Sequence, residues 1–353
     1  QRQMCIRDSA VDVEDVDGSR VIGRVRYGGL LKSNKGINLP GIDVSAPALS
    51  DRDRDEITRV IGLGIDYIAI SFVQRPEDVT QVRALVPPGI KLIAKIEKDT
   101  ALARAREILA VSDGLMVARG DLGVELPFEE VPLAQKRLIH EANLAGKPVI
   151  TATQMLESMI HAPRPTRAEV SDVANAILDG TDALMLSAET AVGKYPLEAV
   201  QAMTRIAHEI EQLARRPANR DEAFLRPSDR SGPAPTEEAI AVAVCAAAEM
   251  LHASAICCLT ASGFTARTVA AQRPGIPILA LTPDVETFRQ LSLVWGVIPA
   301  MAEHVPKYDM MLPIARKVLL ELGLAAPGDR VVVTAGVPFD KPGTTNLLRV
   351  EVV

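Results

Sequence analysis

The sequence predicts an α/β protein in three parts: a short β-rich segment, a parallel β/α series built like part of a (β/α)8 barrel, and a second, smaller α/β domain. Three observations carry this. Short β-branched runs alternate with amphipathic runs from residue 65 to 216, the pattern of parallel strands joined by helical crossovers. Five of these strands end in reactive or ligand-capable side chains, and convergence of strand ends on one face is how such a barrel builds a site. A stretch rich in Pro, Asp, Arg and Ser, PANRDEAFLRPSDRSGPAP, then separates this series from a second one.

Composition agrees with that class. The chain has 353 residues, 48% of them apolar and only 3% aromatic, enough for large aliphatic cores in more than one domain. A net charge of -6 with no basic block argues against nucleic acid as a partner. The longest apolar run, Ala239 to Ala248, is ten residues, far below the roughly 20 of a membrane span, so no membrane segment is expected. The four cysteines, Cys5, Cys245, Cys257 and Cys258, have no metal-ligand spacing and read as reduced core residues of a cytoplasmic protein.

In chain order, QRQMCIRDS (1–9) shows no apolar signal region and no periodicity, and reads as a leader foreign to the rest of the chain. AVDVEDV and SRVIGRVRY flank Asp17-Gly18 and predict two strands around a tight turn. The loop LKSNKGINLPG offers Lys32 and Lys35 to an anionic ligand, and Ser50 is placed to cap a helix. Strands are expected at 65–73, 91–97, 114–119, 148–154 and 182–188, with helices between them and a last helix at 197–216. A closed barrel needs eight strands, so three are expected to precede residue 10. From Thr236 a helix, then SAICCLT, FTARTVAAQ, PILALT, VETFRQLSLV, GVIPAMA, DMMLPIARKVLLEL, RVVVTAG and LLRVEVV predict an open sheet with helices on both faces. The domains are thus 1–9, 10–42, 43–216, a linker at 217–235, and 236–353.

The chemistry is expected at the strand ends: Ser71; Lys95 and Glu97; Arg119 and Asp121; Thr153 and Gln154; Ser187 and Glu189. Lys95 and Glu97 lie two apart on a strand and share a face. Holding a cation and a carboxylate at the end of a buried strand costs too much solvation to be an accident of packing. Glu97 and Asp121 are hard oxygen ligands suited to Mg2+, which takes one or two carboxylates together with phosphate and water oxygens. Lysine, metal and hydroxyls together fit phosphoryl transfer, where positioning and charge neutralisation carry catalysis. In the second domain, TASGFTA (260–266) and GVPFDKPGTTN (336–346) follow strands and can present amides to an anion. The five histidines form no ligand spacing.

Four stretches then carry a resemblance: KGINLPG (35–41), IAKIEK (93–98), DGLMVARGDLGVELP (113–127) and the long run from Gly146 to Val200 that includes TATQMLESMIHAPRPTRAEVSDVANAILDGTDALMLSAET. In order and content they resemble the pyruvate kinase family, from about Val11 to Val353. The resemblance implies a TIM barrel for 43–216, a partial β lid domain for 10–42 and a regulatory domain for 236–353. It implies phosphoryl transfer from phosphoenolpyruvate to ADP, giving pyruvate and ATP through an enolate. Lys95 would stabilise the transferring phosphoryl group and the enolate, Glu97 and Asp121 would bind Mg2+ or Mn2+, and the amides of Gly120 and Asp121 would receive the substrate carboxylate. Thr153 would lie near the carbon that is protonated, with Ser187 and Glu189 in a proton relay. Lys35 would approach the nucleotide phosphates. Thr260, Ser262, Gly263 and Thr265 would hold the phosphate of a sugar-phosphate or nucleotide effector, although Phe264 is unusual there. Arg119 reads as structural, and Thr166 and Arg167 as helix-start residues.

The departures matter too. The family's arginine for the substrate phosphate and its K+ ligands are expected in the missing strands, so the chain as written is expected to turn over little. The complete protein would be a homotetramer. Two other readings are a metal-dependent 2-oxo acid aldolase or lyase, which Lys95 beside the ligand pair disfavours, and a non-catalytic metabolite-binding fragment.

Overall fold

The computed structural model describes residues 3–6, 9–28, 49–214, 233–303, 308–337 and 343–353. They fall into two compact units, one comprising 1–141, 150–157 and 185–187, the other 142–149, 158–184 and 188–353.

The first unit starts with an antiparallel sheet of β1 (Gln3–Ile6), β2 (Ser9–Asp17) and β3 (Arg20–Tyr27), in that order. The predicted hairpin is present: Asp17 pairs with Arg20 across the turn, where Gly18 takes a φ of 57° that a side chain would resist. Arg26 meets Asp12 at 3.0 Å across the strands. The reading of residues 1–9 as patternless needs correction, because Gln3 to Ile6 pair in register with Asp12 to Ser9. Four residues are too few to show a period, and pairing with β2 supplies what local sequence does not.

The β/α series comes next. Helix α1 (Asp51–Ile61) starts where expected: the Ser50 hydroxyl accepts from the Asp53 amide, and the Asp53 carboxylate accepts back from the Ser50 amide. Strand β4 (Tyr67–Ile70) leads to α2 (Pro76–Arg83), with proline in its first turn, then to β5 (Lys91–Ile96). The single helix expected over 101–112 is two, α3 (Asp99–Ala103) and α4 (Ala105–Val111), separated at Arg104 with φ -105° and ψ 19°. Ala101 and Ala105, on either side of the break, are both fully buried. Beyond them lie β6 (Gly114–Ala118), α5 (Arg119–Glu125), α6 (Val131–Leu144), β7 (Val149–Ala152), α7 (Arg167–Leu178), β8 (Ala183–Met185), α8 (Ala188–Ala191) and α9 (Pro196–Ala214). The strands stand in the order β4-β5-β6-β7-β8, which is their sequence order, and β5 runs parallel to both β4 and β6. Leu92, Ile93, Ile96 and Leu115 are essentially fully buried, and every residue of β6 is buried, as a parallel strand covered on both faces must be.

The second unit contains a sheet ordered β11-β10-β9-β12-β13, with β9 (Ala255–Leu259), β10 (Ile278–Thr282), β11 (Val297–Met301), β12 (Arg330–Ala335) and β13 (Leu347–Val352). All pairs are parallel except β12 with β13. Because the side-chain period is two, β9 feeds both faces. Ile256 and Cys258 pack with Val244 of α10 (Thr236–Met250), Val269 of α11 (Phe264–Ala270) and Leu291 of α12 (Val285–Leu291). Ala255, Cys257 and Leu259 pack with Met311, Ala315 and Leu319 of α13 (Tyr308–Glu321). Successive strands move one way from β9 through β10 to β11, while β12 lies on its other side. The order therefore reverses between β9 and β12, the kind of place where open α/β sheets take ligands.

One buried cluster in this unit has no sequence signature. Arg273 donates to Asp182 at 3.0 Å, to Asn143 at 2.8 Å and to the Gly180 carbonyl at 2.6 Å, and its guanidinium lies 5.2 Å from the centre of the Trp295 ring. Asp182 also accepts from the amides of Val149 at 2.9 Å and Trp295 at 3.2 Å.

Candidate active site

Strand β5 ends as its sequence implies. Lys95 Nζ lies 2.6 Å from Glu97 Oε1 and donates to Ser71 Oγ at 2.8 Å, so the lysine is held by groups from two neighbouring strand ends. Glu97 is only 2% exposed, and its other oxygen, Oε2, accepts from the Phe72 amide at 2.6 Å. The Phe72 amide points there because Phe72 has a φ of 55°, a left-handed conformation rarely adopted by a bulky residue.

Strand β6 turns directly into α5, with Asp121 in its first turn and half-buried. The Gly120 amide donates to Thr153 Oγ1 at 2.8 Å, and that hydroxyl donates in turn to the Ala152 carbonyl at 2.7 Å. Two residues singled out by sequence are thereby brought together, but the Gly120 amide, expected to receive a substrate carboxylate, already has the Thr153 hydroxyl as acceptor. A Cβ at position 120 would lie 3.3 Å from Thr153 Oγ1, a tight contact that would push the hydroxyl by a few tenths of an ångström. Thr153 and Gln154 both have positive φ, 67° and 55°. Left-handed residues thus close both β4 and β7, each costing about 1–3 kcal/mol that the surroundings must offset.

Arg119, read from sequence as structural, makes its contacts within the protein. It is buried, and donates to the Thr153 carbonyl at 2.9 Å, to Met155 Sδ at 2.7 Å and to Gln135 at 3.3 Å. It braces the turn after β7 from below. Thr166 is the helix cap of α7: its hydroxyl accepts from the Glu169 amide, while Glu169 accepts from the Thr166 amide at 2.7 Å and from Ser158.

Glu189 lies in α8, fully buried, while Ser187 is exposed just after β8. Lys35, Lys32 and KGINLPG fall outside the described residues, as does 338–342 of the second anion loop. In the first, Gly263 takes a φ of 75° and starts α11, where a Cβ would meet Leu291 and Arg267. Thr260 is half-buried and Ser262 exposed. The Thr265 hydroxyl is 2.8 Å from that of Thr345 and 2% exposed, so it ties the two loops together rather than facing solvent.

The set fits a hard divalent cation. Lys95 and the Phe72 amide occupy two of about four lone-pair positions on Glu97, leaving room for a metal. Among the described residues no group of three or more His, Cys, Asp or Glu is gathered, so a cation held by Glu97 and Asp121 would draw on substrate and water oxygens, as Mg2+ does. From sequence, Ser71 stands out only as a strand end, and the Phe72 amide does not stand out at all. Position after β4 could have promoted the serine, but no residue pattern announces a phenylalanine at positive φ.

Comparison with known proteins gives the same frame. The family description "Pyruvate kinase, barrel domain" matches residues 3–200, and "Pyruvate kinase, alpha/beta domain" matches 238–351. The first match also covers most of the nine residues read as a foreign leader. Pyruvate kinase of Geobacillus stearothermophilus is 48% identical over 97% of this chain and 58% of its own length. Pyruvate kinase 2 of Synechocystis is 49% identical over 94% of this chain and 55% of its own, and the pyruvate kinase of Methylorubrum extorquens 45% identical over 97% and 70%. The chain spans a little over half the length of the first two relatives. On matches that span residues 3–200 and 238–351 and include every described strand-end residue of the site, the chain belongs to the pyruvate kinase family.

Proposed function

We propose that the protein takes part in phosphoryl transfer from phosphoenolpyruvate to ADP, yielding pyruvate and ATP. The observation that carries this reading is the pair of half-buried Lys95 and buried Glu97 at 2.6 Å, fixed by Ser71 and the Phe72 amide. In this reading the Lys95 ammonium faces the transferring phosphoryl group and the enolate oxygen, where negative charge concentrates and a fixed cation lowers the barrier. Glu97 and Asp121 would hold Mg2+ or Mn2+, which when bound would supply neutralisation of the negative charge that phosphoryl transfer gathers. The amides of Gly120 and Asp121 receive the substrate carboxylate, which the Gly120 amide can do only by giving up its bond to the Thr153 hydroxyl, and Thr153 lies near the carbon that gains a proton. Ser187 and Glu189 complete the proton relay.

The finer architecture belongs to the same proposal: β4 to β8 as strands of a TIM barrel, β1 to β3 as part of a lid that brings Lys35 to the nucleotide phosphates, and a regulatory domain in which Thr260, Ser262 and Gly263 receive an effector phosphate at the β9/β12 reversal. K+ as a further cofactor of the full-length protein, a homotetramer of the complete chain and a cytoplasmic setting are part of the same proposal, supported by the family resemblance alone. Among the described residues no helix is long and apolar enough to cross a membrane.

Oxalate, a planar mimic of the pyruvate enolate, tests the site by calorimetry. Oxalate is expected to bind the chain only when Mn2+ is present, with binding lost in Glu97→Gln and weakened about tenfold or more in Lys95→Met. Metal-dependent oxalate binding that survives in Glu97→Gln would overturn the reading. Any ADP-dependent formation of pyruvate from phosphoenolpyruvate should disappear in both variants.

A further inference from the structure

We infer that the Ser71–Phe72 turn after β4 is a positioning device: Ser71 sets the place of Lys95, and the Phe72 amide sets the place of Glu97. This rests on the phosphoryl-transfer reading and names two groups that the reading itself does not require.

A lysine is a point charge on a flexible four-carbon stem, and one carboxylate contact by itself leaves the direction of that stem free. Here Lys95 Nζ is shared between Glu97 Oε1 at 2.6 Å and the neutral Ser71 Oγ at 2.8 Å, so its position is fixed by β4 as well as β5. Ser71 keeps an acceptor on the ammonium when Glu97 is engaged elsewhere. The lysine side chain is still 24% exposed, enough to meet a ligand. Packing does not account for the strained turn, because the Phe72 ring is half-exposed while its backbone is left-handed. What the conformation delivers is the amide, aimed at Glu97 Oε2 at 2.6 Å. An observed backbone outlier whose direct product is a contact to the site points to use in the site.

The test is a double-mutant cycle on Mn2+ affinity, measured on the full chain by electron paramagnetic resonance with Mn2+ as the sole ligand. In Ser71→Ala the ammonium loses its second anchor and is left to Glu97 alone, where it competes with the metal, so affinity is expected to fall about fivefold; in Lys95→Met the same serine change is expected to alter it less than about twofold. Ser71→Thr keeps the hydroxyl and should restore the wild-type value. Phe72→Gly keeps the amide and relaxes the turn, and is expected to hold affinity within about twofold. Thermal melts of each variant establish that it is folded.

Equal loss in the presence and absence of Lys95 would make Ser71 a structural residue and overturn its role, as would no loss in either. A large loss in Phe72→Gly would show that the ring, not the amide, matters and overturn the second half. Failure of the wild-type chain to bind Mn2+ at all would instead remove the metal reading, and this inference with it.

Discussion

Arg273 concentrates several interactions in one side chain. Its guanidinium and the Asp182 carboxylate are 7% and 6% exposed, and removing one partner of such a pair strands a buried charge. Arg273→Met is expected to lower unfolding free energy by about 3 kcal/mol in urea titrations. A loss below about 1 kcal/mol would mean that the amides of Val149 and Trp295 satisfy Asp182 alone. Cysteine accessibility gives a second check at this scale. Burial pushes the Cys245 thiol up to about 12, helped by the charge of Glu249, and burial alone pushes Cys257 up to about 12. Both, with Cys258, should stay unreactive to a thiol reagent near pH 8 until the protein unfolds; reaction in the folded state would contradict the packing of β9. At the residue scale the sequence was most legible where chemistry follows strand period, as with Lys95 and Glu97. It was least legible where backbone conformation is imposed from outside, as with Phe72, Gln154 and Arg273, all at positive φ without being glycine.

The start of α7 shows an element held by one reciprocal pair. The Glu169 carboxyl is pushed up by partial burial, but hydrogen bonds from Ser158 and Thr166 outweigh this and hold it below its ordinary 4.5. A carboxyl whose folded value is depressed adds stability that is present above its unfolded value and disappears as pH falls through the folded one. Acid unfolding should therefore begin below about pH 4.5, and Glu169→Gln should flatten that limb. Thr166→Ala is expected to cost about 1 kcal/mol at neutral pH by urea denaturation, with a change under about 0.3 kcal/mol refuting the cap. Elements were read well where start signals exist, as at Ser50 and Thr166. The split between α3 and α4 has no signal in the sequence, because neither glycine nor proline marks Arg104.

At the scale of the whole molecule, the order of the five strands β4 to β8 follows from alternation, and the sheet of β9 to β13 from the same pattern after residue 236. Its reversal between β9 and β12 depends on which strands pair, a tertiary choice that local pattern does not encode. The β2–β3 hairpin leaves apolar surface open: Val21, Val25 and Tyr27, alternate residues on β3, are 52%, 66% and 58% exposed. Contiguous apolar area of this sort binds hydrophobic dyes and promotes association. Val21→Thr with Val25→Lys is expected to reduce anilinonaphthalene sulfonate fluorescence of the chain about twofold or more while leaving its melting temperature unchanged. Unaltered dye binding would place the exposed surface elsewhere.

Adjacent thiols on β9 give the second sheet a built-in pair of reporters. Cys257 is sealed by α13 on one side of the sheet and Cys258 by α10, α11 and α12 on the other. A pulse of thiol label during unfolding therefore reads each side separately: equal labelling rates mean that both coverings leave in one cooperative event. Earlier labelling at one residue names the layer that peels away first, from two neighbours in a single peptide fragment.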